Sequence, residues 1–423
     1  MHATDVEGLA VEVGKGVPLR TLGALEHIFW LIDQERPMHF AVAAEIAGTR
    51  APAEWRRALD LLQMRHPMLN VRIVARHGSV PLFCTARSPI PLRIVEVFGH
   101  TWQSVVGEEL ATPFDPDAAP LVRAVVISGD IGSTLVLVAH HAVADGMSLV
   151  FLVRDILRAL HAAPLEALPM PPSQDELAAL AEVQVRAGSD NGADAPPGAA
   201  GTFRCADGAH PTVRGRRLDL ELTQRIRDRA REEGASVHGA VCAALAIAGR
   251  QLSTGWRAAP VRFLSPINTR PILAVGEDCG LFVSAVTIVS GPAEACFWDV
   301  ARHASVTAYA GKSQRGLRAL LDVAQSFVAS RPDAQMACAF AARSFAREAF
   351  VTNLGALPID THYGDLELRA FWGPIVLSGF VGDQSIGLAT IGGALHLTHA
   401  SHDPFPPLLI AMELILDDVC AGA

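Results

Sequence analysis

Positive charge is scarce in this chain: 35 Lys and Arg stand against 44 Asp and Glu, and no basic run occurs in its 423 residues. With a net charge of −9 and no basic patch to follow a phosphate backbone, nucleic acid is excluded as a partner. Long apolar runs are missing too. The longest, about GAVCAALAIAG at 239–249, falls far short of the ~20 residues that a membrane-spanning helix needs. The opening MHATDVEGLAVEVGKG has no charged segment followed by an apolar core. No signal peptide is therefore read, and the cytoplasm is the expected location. The seven cysteines, Cys84, Cys205, Cys242, Cys279, Cys296, Cys338 and Cys420, include no C-x-x-C pair. Scattered in this way, they read as buried reduced thiols, with a zinc site or a Cys nucleophile as the alternative.

What is present is apolar surface to bury. Half of the residues are apolar and 19% are charged, and this length calls for two domains. Almost all cations are arginines and alanine is abundant, a composition that fits a high-GC bacterial gene. No internal repeat is seen. The fold class expected is α/β, with short strands and helices alternating through residues 1–165. Residues 22–33 carry a helical stripe, 39–46 read as a strand and 51–66 as an amphipathic helix. TLVLVAHH at 134–141 is an apolar run suited to a strand buried on both faces, and 146–160 follows as a helix. The stretch 166–212 is rich in Pro, Gly, Ser and Asp and reads as a crossover linker with one short helix. Residues 213–423 restart the alternation, with helices at 220–253 and 297–348, a strand-rich end, and a closing helix after Pro404–Pro407.

The chemistry concentrates at His140-His141-Ala-Val-Ala-Asp145-Gly146. Adjacent strand residues point to opposite faces, so the two histidines cannot do the same work or grip one metal ion. One packs; the other can face a cavity at the strand's carboxyl end, where α/β folds tend to bind ligands. A neutral imidazole with a pKa near ~6.5 suits proton abstraction at neutral pH. Asp145 stands where a helix N-cap belongs, and Gly146 permits a close approach that a side chain would forbid. A buried histidine pair beside a capping aspartate explains the same residues.

HHAVADG resembles the HHxxxDG signature of the condensation domains of nonribosomal peptide synthetases and of polyketide-associated acyltransferases such as the phthiocerol dimycocerosyl transferases. RTLGALEHIFW, RHPMLNVRI, ATPFDPDAAPLVRAVVI, SPINTRP and VTNLGALP resemble further family segments in the right order, spanning about residues 20 to 360. The DFGWG loop of the plant branch is absent, which favours the bacterial branch. The resemblance implies two chloramphenicol-acetyltransferase-like lobes forming a V around a central tunnel, 1–165 and 213–423. It implies His141 as catalytic base, His140 as structural, and an Asp145–Arg270 salt bridge that holds the loop. His399 and His402 read as strand-end residues. The Gly146 N–H is the candidate oxyanion donor. Asn353 either orients the acceptor or satisfies a strand end. No bound cofactor is expected; the donor is acyl-CoA or a phosphopantetheinyl acyl carrier protein. The acceptor is a small alcohol, with an amine as the alternative, and the chain works as a monomer or dimer. A catalytically silent module that docks carrier proteins is the reading from another class.

Overall fold

The structure, a computed structural model, describes residues 16–75, 79–115, 118–182, 200–205, 207–291, 296–377 and 379–421. Among the described residues two six-stranded mixed sheets carry the two lobes, beside a three-stranded sheet of Pro18–Thr21, Leu82–Thr85 and Val71–Val74. Strand order in the first sheet is His362–Tyr363, Leu366–Val376, His39–Ala47, Gly132–His140, Val122–Ser128, Leu92–Glu96. The second runs Val283–Ser290, Val261–Asn268, Ala349–Ala356, Gln384–Ile391, Ala394–Ser401, Thr212–Arg217.

The apolar run at 134–141 becomes the strand Gly132–His140 near the middle of the first sheet. Leu135, Leu137 and Ala139 enter one core, while Val136 and Val138 enter another on the opposite face. That double burial is why the run shows no polar alternation. Helices Pro52–Arg65 and Gly146–Leu160 pack together against the first face, and Trp102–Ala111 covers the second. In the second lobe the longest apolar stretch forms helix Val237–Leu252, enclosed by Phe297–Gly311 and Leu408–Cys420. It is a core helix. No helix among the described residues is long and apolar enough to cross a membrane.

The sheets exchange a strand, which the sequence reading does not anticipate. After Ala349–Ala356 in the second sheet, the chain crosses over, and Leu366–Val376 pairs antiparallel with His39–Ala47 of the first. It then returns to the second sheet as Gln384–Ile391. This crossing places Pro374 and Val376 in the wall between the lobes. In the stretch read as a linker, the helix is Gln174–Glu182, and residues 183–199 and 206 lie outside the described residues. The expectation of uniformly buried thiols needs correction. Cys84, Cys242, Cys279 and Cys420 are buried, but Cys205 and Cys296 are exposed. Both stand outside the regular helices and strands, where no layer covers them.

Candidate active site

The motif strand ends at His140, so the two histidines part company at a turn. His140 N–H donates to Leu121 O across the sheet, whereas His141 N–H donates to Met38 O at 2.9 Å. The His140 ring points into packing. Its Nδ1 accepts the Ala142 N–H at 2.9 Å, which leaves Nε2 to carry the proton toward Asp33 Oδ2 at 3.3 Å. Burial opposes ionisation of Asp33, but the His140 contacts and the Met38 N–H outweigh it and hold the carboxyl below its usual range.

His141 forms part of the wall of a cavity of about 160 Å³ between the lobes. Its ring stacks on Phe40 at 4.3 Å and tilts against Phe29 at 5.4 Å. Nδ1 is sealed without a hydrogen-bond partner. That leaves Nε2 as the nitrogen able to meet a molecule in the cavity. Burial, then the neighbouring His140 and His39, push the imidazole down to about 3, so the ring is neutral throughout the physiological range. The opposite wall, from the second lobe, includes Leu264, Val283 and Phe350. A larger cavity of about 370 Å³ shares His39 and Leu377 with this one, and a smaller one of about 70 Å³ shares Asp145, Gly146 and Thr352.

Asp145 caps helix Gly146–Leu160, its Oδ1 accepting from Ser148 N–H at 2.8 Å. Its Oδ2 accepts from Arg270 Nη1 at 2.5 Å and from Phe282 N–H at 2.9 Å. Both oxygens are therefore engaged, and the carboxylate is 2% exposed. Arg270, on the short helix after Val261–Asn268, adds a bond to Asp278 O at 2.9 Å, so this pair ties the motif helix to the second lobe. Gly146 needs its missing side chain: a Cβ there would lie 2.8 Å from Pro374 Cγ and 2.9 Å from Leu354 Cδ2. Its N–H belongs to the first helical turn, whose donors have no intrahelical acceptor. Asn353 is drawn elsewhere. Its Oδ1 accepts the Gly355 N–H at 2.7 Å, and the side chain lines the 70 Å³ cavity instead of the one His141 faces. His399 is buried against Gln384 Oε1 at 2.9 Å, and His402 lines the 370 Å³ cavity.

Several residues at the site escaped the sequence reading. Asp33, at the end of helix Ala24–Asp33, has no local signature that marks it as the His140 partner. Asp155 carried one: an acid inside the otherwise apolar face of GMSLVFLVRDILRAL. It is fully buried, with Arg65 Nε at 2.7 Å, His66 Nε2 at 2.9 Å and Arg154 Nε at 3.0 Å. Arg65 and Arg154 then reach Glu277, a second clasp between the lobes.

Residues 31–189 match the family model of the condensation domain, and residues 207–387 match that of the phthiocerol/phthiodiolone dimycocerosyl transferase C-terminus. The chain belongs to the condensation-domain superfamily. Both matched families are transferases. Among curated proteins this superfamily member is 30% identical over 155 residues to phosphinothricin tripeptide synthetase PhsC of Streptomyces viridochromogenes, covering 34% of the chain and 14% of that protein. It is 28% identical over 170 residues to malpibaldin synthetase of Mortierella alpina, covering 38% of the chain and 3% of that protein. The chain thus spans a small fraction of these relatives. Polyketide synthase associated protein 5 from Mycobacterium tuberculosis shares its fold with a TM-score of 0.67 at 17% identity, over 96% of this chain and 99% of that one. The first condensation domain of the CDA synthetase does so equally, 0.67 at 18% identity, over 96% and 97%. Among the described residues no cluster of three or more His, Cys, Asp or Glu could hold a metal ion.

Buried neutral histidines make the whole molecule acid-sensitive. Burial pushes His39, His238, His396 and His399 down to about 4, beside His141 at about 3. The unfolded chain, with histidines near ~6.5, binds more protons than the folded one below that pH. The stability these neutral histidines contribute is therefore fully present above pH ~6.5 and is lost as the pH falls toward 4. Urea unfolding at pH 7 and pH 5 should show a clearly lower midpoint at pH 5; equal midpoints would contradict it.

Proposed function

We propose that the chain moves an acyl group from a thioester to the hydroxyl of a small alcohol, with His141 as general base. One observation carries this reading: a neutral imidazole in the wall of an interlobe cavity, with its Nδ1 sealed. His141 Nε2 takes the hydroxyl proton as the oxygen attacks the thioester carbonyl. The tetrahedral oxyanion then finds the Gly146 N–H at the helix start. As it collapses, the C–S bond breaks and the imidazolium returns its proton to the leaving thiolate, so nothing is oxidised or reduced. Both reactants held in one cavity gain further rate from proximity.

The donor is a thioester of coenzyme A or of a carrier protein's phosphopantetheine, with no bound cofactor. An apolar acyl chain suits a wall of Leu25, Leu264, Leu320 and Phe345, which continues into a neighbouring cavity beside Val323 and Phe340. His140, Asp145 and Arg270 hold the loop that carries the base. The lobes correspond to 1–165 and 213–423, and the enzyme works in the cytoplasm of a bacterial secondary or lipid pathway. Amide formation is the second reading. One of the sequence relatives named above is a tripeptide synthetase, and the same imidazole can serve an amine nucleophile.

The test offers acyl thioesters of increasing chain length with panels of alcohols and amines, following thiol release and products by mass spectrometry. Ester formed in step with free thiol is the expected result. Amide products alone would move the assignment to the second reading, and no thiol release above buffer with any pair would refute acyl transfer.

A further inference from the structure

The wall that faces His141 is apolar except at a few points, and one of them is a charge with unfilled valence. Arg347 stands two residues before strand Ala349–Ala356 and is 9% exposed. Among the described residues it is the one arginine or lysine lining the 160 Å³ cavity. Phe350 and Phe380 hold its guanidinium plane, with ring centroids at 5.1 and 4.8 Å. Nη1 donates to Phe345 O at 2.9 Å, and Nε reaches Asp383 Oδ2 only at 3.4 Å, the outer limit of a hydrogen bond. No acceptor meets Nη2 among the described residues, and Nη2 is not among the sealed atoms. Arg347 itself lines the cavity. Ser284 Oγ, on the same wall and 1% exposed, likewise has no partner.

A buried guanidinium with idle N–H groups is costly unless something fills them, and an oxyanion does so better than a neutral group. Burial draws Arg347 below the ordinary arginine value in spite of Asp383, the mark of a charge still short of compensation. The ring sandwich fixes the fork in one orientation, as a recognition group requires. A cavity of this volume admits a small molecule with an apolar body. Its two polar ends would meet His141 and Arg347, both in the wall.

We propose that Arg347 is a specificity-determining residue that binds the carboxylate of a small hydroxycarboxylate acceptor, whose hydroxyl is presented to His141. This deepens the acyl-transfer reading and rests on it for the role of the hydroxyl. The carboxylate's binding is independent of any chemistry. Calorimetric titration of the full chain with 3-hydroxyoctanoate and its neutral analogue 3-hydroxyoctanamide separates the two. The carboxylate should bind at least ~10-fold more tightly than the amide, the scale of one charge-assisted hydrogen bond. Arg347→Gln should abolish that preference by weakening the carboxylate at least ~10-fold more than the amide, and Arg347→Lys should restore part of it. If Arg347→Gln fails to fold because the Asp383 contact is lost, the double variant Arg347→Gln/Asp383→Asn reads the same loss. Equal affinity for the two probes, no binding of either, or equal losses in the variant would overturn the proposal. A chain that prefers the carboxylate yet acylates nothing would refute the acyl-transfer reading alone.

Discussion

His141→Ala should lower turnover by ~10²–10⁴-fold, the usual span for a general base, while the protein stays folded. The ring lies in a cavity wall, and its Nδ1 has no partner at hydrogen-bond distance among the described residues, so its loss strands no close side-chain partner. What disappears is the stack on Phe40 and the proton acceptor. The pH profile supplies a second mark. Because the imidazole is pushed down to about 3, it is already deprotonated at pH 6 and stays so as pH rises. The rate should be flat from about pH 6 to 8, with no acid limb near the ~6.5 of a free histidine. A folded His141→Ala protein that turns over at the wild-type rate would remove the base from the mechanism.

Asp145→Ala should be the most destabilising single change in the site, by about 3–5 kcal/mol, because it strands a buried charge. Arg270 is 4% exposed and, among the described residues, pairs with no other carboxylate. The same substitution removes the cap of helix Gly146–Leu160 and the acceptor of the Phe282 N–H. These losses share one carboxylate and will not simply add. Asp145→Asn keeps an oxygen for the cap and should fall between wild type and alanine, read as the melting temperature. A mutant that melts like wild type but has lost its rate would place Asp145 in the chemistry instead of the scaffold.

The ends of the motif strand and helix were legible because their signals are local. An apolar run stops at a histidine pair, an aspartate follows at capping distance, and a glycine begins the helix. The family resemblance pointed to Arg270, and the structure sets it against Asp145 across a separation of 125 residues. Nothing local marked Asp33 as the neighbour of His140, nor Arg347 and Ser284 as polar points in an apolar wall. Asn353 shows the reverse. Its segment resembles a family strand, yet its side chain turns to Gly355, because the strand's register shifts between Asn353 and Ala356.

By itself the sequence determined the alternation of strands and helices, the depth of the two cores, and the placing of two histidines and a capping aspartate at one strand-to-helix junction. Those are properties of a few neighbouring residues: period, turn chemistry and capping. Only the tertiary structure decided which histidine lines the cavity, that Leu366–Val376 crosses into the first sheet, and which charges meet inside. Such contacts join residues far apart in the chain. Their energy comes from burial and packing, which no short window of sequence contains.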